Sequence, residues 1–207
     1  MTTSQRNRGR SDCLSYVLLA LVLLAAVGRG QSIDHKTVEY SDKPWIEYKP
    51  SGGRFSVSLP AIPEERVQMV DTALGPLEMH SALLIIMRRH DFIVCGVMYN
   101  DLPRQITEPS AIAGVINGAR DQVLSANSQR KLISEKELTL GSYKGRELTI
   151  EQPDLLIIAR IFVVKERVFE LITTTPRPQE TNEGNEFADT VRQKFWLSFG
   201  LVPSDSH

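Results

Sequence analysis

The chain has little of what a disulfide-stabilised, metal-binding or nucleotide-binding protein uses. Its 207 residues include two cysteines and four histidines. It has no Gly-x-Ser-x-Gly nucleophile motif and no glycine-rich loop ahead of a helix, so it carries no signature of serine hydrolysis or phosphate binding. The charge is nearly balanced, with 24 basic and 25 acidic residues. This balance excludes the basic footprint that nucleic-acid-binding proteins carry, and we expect no nucleic-acid partner.

The first 28 residues have the three parts of a secretory signal. Arg6, Arg8 and Arg10 precede the uncharged segment 14–28, which ends in small residues. Fifteen residues span roughly 22 Å as a helix, whereas a bilayer core of about 30 Å needs about 20 residues. We therefore expect export with removal of residues 1–28. The alternative is an uncleaved anchor that holds the domain at the outer side of the membrane.

Two positions fit the small-x-small pattern that precedes signal cleavage. Cleavage after Gly28 would make Arg29 the first mature residue, and cleavage after Gly30 would make it Gln31. Removing residues 1–28 takes away three basic residues and one acidic residue, which leaves 21 basic and 24 acidic residues and a formal charge of -3. The mature chain has the length of a single domain that can bury a core without cross-links.

Cys95 is the one cysteine that remains after cleavage, since Cys13 lies within the signal. An internal disulfide is therefore excluded. Cys95 lies in the apolar run Phe-Ile-Val-Cys-Gly-Val-Met, which predicts a buried and chemically inert thiol. The alternatives are a nucleophile and an intermolecular bridge.

The pattern beyond the signal predicts one domain with polar ends. Residues 29–44 are polar without a sustained period and read as a flexible leader, residues 45–201 as a single domain, and residues 202–207 as a disordered tail. Alternating or doubly apolar segments bounded by turn residues predict strands. They cover residues 45–49, 54–59, 82–87, 92–98, 131–140, 143–151, 155–164 and 167–175. Short connections make the later strands antiparallel neighbours.

Two helices complete the prediction. Apolar residues recur at helical spacing over 111–126, with Thr107 or Ser110 as the cap and Pro109 in the first turn. A last helix begins at Asn182 or Asn185, and it buries one apolar face. That face consists of Phe187, Val191, Phe195 and Phe199. Two helices on a meandering antiparallel sheet of about six to eight strands make an α+β fold.

Three short motifs resemble those of PsbP-like domains and related exported proteins. They are Trp45-x-x-Tyr48 followed by Gly53-Arg-Phe-Ser-Val-Ser-Leu-Pro60, then Leu140-Gly-Ser-Tyr-Lys-Gly-Arg-Glu147, and finally Phe195-Trp-Leu-Ser-Phe199. The resemblance extends over residues 45–201. It implies an α-β-α sandwich around an antiparallel sheet. It also implies a non-enzymatic accessory or binding role, because PsbP-type proteins attach to larger assemblies.

His80 and His90 are the best candidates for a metal or hydrolytic site. Ten residues separate them around a predicted turn, and Glu78 and Asp91 lie beside them in sequence. A site would need these groups to converge at ligand distances. The alternative is a pair of partly exposed strand residues, and we assign no metal ligand or catalytic residue here.

Other polar and aromatic groups have ordinary structural explanations. The carboxylate pairs 64/65, 135/137 and 147/151 lie among basic residues, which predicts a solvated charge network. The basic cluster 88–90 suits a solvent-exposed turn. The aromatic residues Trp45, Tyr48, Phe55 and Tyr99 suit core packing better than a ligand groove. Gly114 and Gly118 allow a close backbone approach on the first helix.

These features favour an exported, non-enzymatic binding or protein-interaction module of the cell envelope, with no cofactor. Its partner is either an envelope protein or a small ligand, and membrane association is transient or confined to the N-terminus. Two alternatives remain. One is an exported hydrolase-like enzyme with a dispersed site near His80 and His90, and the other is a structural envelope component tethered by an uncleaved N-terminal helix.

Overall fold

The computed structural model of the chain describes residues 35–72, 75–177 and 182–203. The predicted signal, residues 1–28, and the end of the predicted tail, residues 204–207, lie outside the described residues. The strands are β1 Thr37–Glu39, β2 Ile46–Tyr48, β3 Phe55–Leu59, β4 Glu64–Thr72, β5 Gly75–Arg88, β6 Asp91–Asp101, β7 Lys131–Leu140, β8 Tyr143–Gln152, β9 Leu155–Val164, β10 Arg167–Pro176 and β11 Gly200–Leu201. The helices are α1 Pro109–Ser125 and α2 Asn182–Ser198.

Eight strands form one sheet in the order β1-β5-β6-β10-β9-β8-β7, with β4 also paired to β5. The prediction of an α+β fold with two helices is confirmed, but the sheet is mixed rather than antiparallel because β1 runs parallel to β5. The long strand β5 makes this possible. The residues of β5 up to Leu83 pair with β4, and those from Ile85 onward pair with β1. Two strands therefore share one edge of β5.

The start of the domain lies earlier than the sequence predicts. Thr37–Glu39 is a strand within the stretch 29–44 that was expected to be a flexible leader. Val38 and Tyr40 pack against the buried core, and the Tyr40 amide donates to the carbonyl of Met87. Ordered structure that packs against the core is therefore present before the predicted boundary at Trp45. Sequence alone did not reveal β1 because a three-residue strand is too short to show a period.

The predicted hairpin of residues 45–59 forms, but outside the main sheet. Strands β2 and β3 pair with each other, and β3 also pairs with β11, which makes a second sheet of three strands. The sequence prediction missed β4. Its residues Glu-Glu-Arg-Val-Gln-Met-Val-Asp-Thr are mostly polar, and two of its apolar side chains, Val67 and Met69, are more than half exposed.

The tight turns between the later strands are confirmed. Turns at 141–142 and 165–166 connect β7 to β8 and β9 to β10, and a turn at 89–90 connects β5 to β6. Arg89, Gly141 and Lys165 each adopt a positive φ, between 56° and 60°, as short hairpin connections require. These connections make successive strands antiparallel neighbours and fix their register.

Helix α1 begins differently from the prediction. Its N-cap residue is Glu108, which makes no side-chain capping hydrogen bond, so neither Thr107 nor Ser110 is the cap. Pro109 occupies the first turn as predicted, where its missing N–H costs nothing. The chain is already extended at Glu108 (φ -70°, ψ 126°), and this geometry places the cap one residue before the proline.

The core divides into clusters on the two faces of the sheet. Val168 of β10 packs in the cluster that contains α1, whereas its neighbour Phe169 packs in the cluster that contains α2. Successive side chains of a strand point to opposite faces, which accounts for the division. The α2 cluster contains the four predicted apolar residues Phe187, Val191, Phe195 and Phe199, all of them buried.

Substituting the two exposed glycines of α1 will stabilise the protein. A Cβ at Gly114 or Gly118 would meet nothing within 4 Å, so the close backbone approach considered for them is absent. Gly114→Ala and Gly118→Ala should each raise the free energy of unfolding by up to about 1 kcal/mol, measured by urea denaturation. Gly145→Ala is the contrast, because its Cβ would lie 2.5 Å from the Ile161 carbonyl oxygen. A stabilised Gly145→Ala would contradict this account.

Candidate functional site

The candidate site is a cavity of about 430 Å³ between the end of α1 and the sheet. This volume lies within the range of roughly 300–1,000 Å³ that small-molecule pockets occupy. Ten of its 17 lining residues are apolar. The lining consists of Gln68, Met69, Val70, Asp71, Met79, Leu83, Val94, Met98, Gln122, Val123, Ser125, Ala126, Arg130, Ile157, Glu170, Ile172 and Thr174.

Three parts of the fold enclose this cavity. The hairpin β4–β5 supplies one wall, the last turn of α1 with Ala126 supplies the other, and β6, β9 and β10 supply the floor. The hairpin extends past the region where β5 pairs with β6, and its Leu77 packs against the α1 cluster. The hairpin and the helix therefore both contribute to the cover over this face of the sheet.

Glu170 is the chemically distinctive group of the floor. It lies in the middle of β10, opposite Met98 of β6 and Ile161 of β9, and only 6% of the residue is exposed. Its carboxylate makes no hydrogen bond or ion pair with any residue that the structure describes. A buried, unpaired carboxylate costs several kcal/mol unless it is protonated or acquires a partner.

The other buried charged residues in the described ranges are paired. The Arg167 guanidinium binds both oxygens of Asp101, at 2.7 and 2.6 Å, and the carbonyls of Gly52 and Gly53, each at 2.6 Å. Arg192 contacts Asp189 and the Thr173 hydroxyl. Both arginines therefore have structural explanations, since each holds neighbouring elements together. Glu170 has none.

Burial raises the pKa of Glu170 from its ordinary value of 4.5 to about 7. Desolvation is the cause, because the apolar surroundings disfavour the charged form and no cation offsets that effect. Near neutral pH both protonation states are populated. A carboxyl group with this property inside a cavity is a candidate binding or catalytic group.

Arg130 also lines the cavity, but it is already engaged. Its guanidinium donates to the carbonyl of Val123, in the last turn of α1, and to Gln152 Oε1 at 3.4 Å. A cation there complements the negative end of the helix dipole. Burial lowers the pKa of Arg130 to about 10, which leaves it charged at neutral pH. Its contacts explain it as the C-terminal anchor of the helix.

Three of the five methionines of the chain, Met69, Met79 and Met98, line the cavity. Unbranched thioether side chains change conformation easily and fit ligands of different shape. Met79 of β5 and Met98 of β6 face the same side of the sheet as Glu170, whereas Met69 pairs with Glu78 on the other side of the hairpin and is more than half exposed. The cavity therefore has a deformable apolar lining with one buried acid.

The structure does not bring His80 and His90 together. His80 pairs with Tyr99 at one end of the β5–β6 ladder, while His90 lies in the turn at the other end. At about 3.4 Å per residue, the eight steps along the chain from His80 to Arg88 span roughly 27 Å. The His80 ring stacks on Tyr99, with 4.7 Å between ring centroids, and its Nε2 lies 2.8 Å from Glu78. The hydrolase-like alternative required His80 and His90 to lie close together, and they do not.

Within the described residues, no group of three or more His, Cys, Asp and Glu side chains is arranged to hold a metal ion. Cys95 is buried as predicted, and burial raises the pKa of its thiol. An inaccessible thiol of raised pKa is a poor nucleophile. In the part of the chain that is described, no helix has the length and apolar character to cross a membrane.

The carboxylate pairs and aromatic residues considered in the sequence analysis have structural explanations, which are ion pairs and core packing. Glu135 lies 2.7 Å from Arg146, and Glu147 lies 2.8 Å from Arg160, as expected of a charge network. The aromatic candidates belong to the α2 cluster, where Tyr48, Phe55 and Tyr99 are buried and Trp45 packs against them. None of these four aromatic residues lines the cavity.

Sequence reasoning missed Glu170, although a signal is present. The stretch Arg167-Val-Phe-Glu-Leu-Ile has apolar residues on both sides of a single acid, so both faces of the strand are apolar there. An acid within such a run must be buried. The β4–β5 hairpin that forms one wall of the cavity could not be recognised in the sequence, because β4 is mostly polar.

No family model and no curated protein matches the chain. Solved structures similar to it include a crystal structure of PA94, a protein of unknown function from Pseudomonas aeruginosa. The two share 14% identity, with 79% of this chain and 100% of that chain covered, and the TM-score is 0.35. Similarity at this level supports no inference about function.

Replacing Glu170 will change how stability depends on pH. The folded-state pKa of about 7 lies above the ordinary 4.5, so the folded state binds more protons and stability falls as pH rises between these values. Glu170→Gln removes this loss. The variant and the wild type should be similarly stable near pH 4.5, and the variant more stable by roughly 3 kcal/mol at pH 8.

Urea denaturation at a series of pH values measures the difference. Glu137→Gln is the control, because Glu137 is exposed and outside the cavity. A constant difference between Glu170→Gln and the wild type from pH 4.5 to pH 8 would contradict the assignment of a raised pKa.

Proposed function

We propose that the protein is an exported, non-catalytic binding module, and that its ligand is a small, largely apolar molecule held in the cavity beneath α1. The observation that carries this proposal is the unpaired carboxylate of Glu170 in the floor of a mostly apolar cavity. Cavities that bind small molecules combine an apolar lining with a few convergent polar groups. This one has that composition.

The absence of an assembled catalytic set among the described residues favours binding over catalysis. His80 and His90 lie apart, Cys95 is buried, and the carboxylates 135 and 147 are paired with arginines. A general acid or base needs a second group within hydrogen-bond reach, and Glu170 has apolar neighbours on both adjacent strands. Binding therefore suits the site better than group transfer.

We also propose the arrangement of a PsbP-like α-β-α sandwich. Its support is the division of the core, in which α1 packs with residues such as Ile157 and Val168, and α2 packs with Phe169 and Leu171. Strand alternation assigns these two sets to opposite faces. A non-enzymatic role would accord with the resemblance of the motifs at residues 45–60, 140–147 and 195–199.

Export and location at the cell envelope rest on the N-terminal pattern. The mature protein should begin at Arg29 or Gln31, which intact-mass spectrometry of the purified envelope or secreted fraction will determine. Arg6, Arg8 and Arg10 should be absent from that protein. Recovery of a chain that retains residues 14–28 would contradict cleavage and favour the tethered alternative, whereas recovery from the cytoplasm would contradict export.

Obstructing the cavity will weaken ligand binding. Ala126 lines the cavity at the end of α1, so Ala126→Trp should place an indole at its edge. Titration with the neutral fluorophore Nile red should give saturable binding to the wild type. The Kd of Ala126→Trp should be more than about tenfold higher, which corresponds to 1.4 kcal/mol.

Ala111→Trp is the matched control, because Ala111 is exposed near the start of α1 and outside the cavity. It should bind like the wild type. Equal affinity for both tryptophan variants would place the probe elsewhere, and a wild type that binds no probe would contradict the proposed function.

A further inference from the structure

The groups in the floor of the cavity indicate which class of ligand it binds. This inference rests on the proposed function. We propose that the cavity binds an amphiphile that carries a protonated amine, whose ammonium group pairs with the carboxylate of Glu170. The apolar part of the molecule lies against the methionines and aliphatic residues of the lining. No other charged group of the cavity is needed for this pairing.

A hydrogen-bond donor is what Glu170 lacks. An ionised carboxylate is acceptor-only, and the described residues supply it with no donor. Its cross-strand neighbours Met98 and Ile161 and its strand neighbour Ile172 offer no polar hydrogen. A ligand that brings a charged donor compensates the burial of the acid better than a neutral donor, because charge-assisted hydrogen bonds are stronger.

The remaining charges around the cavity favour a cation over an anion. Asp71 on the hairpin and Arg130 after α1 are the other charged groups of the lining. Arg130 already donates to the Val123 carbonyl and Gln152. Arg146 of β8, on the same face, is held by Glu135 and Asn117. With Asp71 and Glu170 ionised, and with Arg130 as the one basic residue of the lining, the cavity carries a net negative charge.

The apolar part of the ligand follows from the rest of the lining. Met79 and Met98 contribute thioether side chains from β5 and β6, and Leu83, Val94 and Ile157 add aliphatic surface. This surface gives no directional contact, so it suits an alkyl chain or ring system of adaptable shape. The cavity is thus polar at one position and apolar elsewhere, which is the pattern of an amphiphile.

The pH dependence of binding distinguishes an amine from a ligand with a carboxylate or carbonyl group. The amine binds the ionised form of Glu170, so its affinity rises with pH until Glu170 is fully ionised. An alkylammonium keeps its own charge through this range, as a lysine side chain with a pKa near 10.4 does. A ligand with a carboxylate or carbonyl would bind the protonated form instead, and its affinity would fall as pH rises.

The test compares octylamine, octanol and octanoate, which share one chain length and differ in head group. Isothermal titration calorimetry with the full mature protein at pH 8 should rank them in that order. Octylamine should bind at least about tenfold more tightly than octanol. Its Kd should rise as the pH is lowered from 8 to 5.5.

Glu170→Gln keeps the shape of the side chain and removes its charge. In this variant the affinity for octylamine should fall at least about tenfold and lose its pH dependence, while the affinity for octanol stays within about twofold. Glu137→Gln, an exposed position outside the cavity, should leave all three affinities unchanged. Circular dichroism of each variant verifies that it is folded.

The outcomes separate this inference from the proposed function. Equal binding of all three probes, with competition against Nile red, would leave an apolar binding cavity and overturn the role of the amine. Octanoate binding that strengthens at low pH would overturn it in favour of a protonated Glu170 as donor. Binding of none of the three probes would contradict both proposals.

Discussion

The register of β10 against its two neighbours decides what each face of the sheet contains. With Glu170 opposite Met98 and Ile161, the acid lies on the face that α1 and the β4–β5 hairpin cover. Phe169 and Leu171 then fall in the α2 cluster. A slip of one residue would exchange the two sets, because the side-chain period of a strand is two. The aromatic core and the cavity therefore depend on the same pairing.

That register is held by large packing interactions on the α2 face. The Phe169 ring packs with Phe55 at 5.9 Å and with Phe199 at 5.6 Å between centroids. Arg167, at the start of β10, binds Asp101 and the carbonyls of the turn before β3. These contacts fix β10 from the side opposite the cavity. The strand can thus carry an unpaired acid on its other face without losing its position.

The opposite face is less completely filled. Helix α1 packs on β8 and β9 through Ile116, Ala119 and Val123, and it leaves the floor formed by β6 and β10 to the hairpin. The hairpin wall includes the flexible side chain of Met79. A cavity remains between a helix and a hairpin that cover different parts of the same face.

Most of the strands, both helices and the hairpin turns could be predicted from local pattern, because period and turn chemistry are encoded over short stretches. Strands β1, β4 and β11 could not. The first and last are too short to show a period, and β4 is mostly polar, with Val70 its one buried apolar side chain. The cavity could not be predicted either, because the sequence does not say which helix covers which strands. Glu170 alone had a local signal, an acid with apolar neighbours on both sides.

The most direct test of this account is an NMR titration of the Glu170 side-chain carboxyl carbon in the free protein and in the presence of saturating octylamine. A midpoint near pH 7 is expected in the free protein, because Glu170 is buried and unpaired. On binding, the midpoint should fall toward or below the ordinary value for glutamate, because the ammonium group stabilises the charged form. A free-protein midpoint near 4.5, or a midpoint that octylamine does not move, would contradict this account.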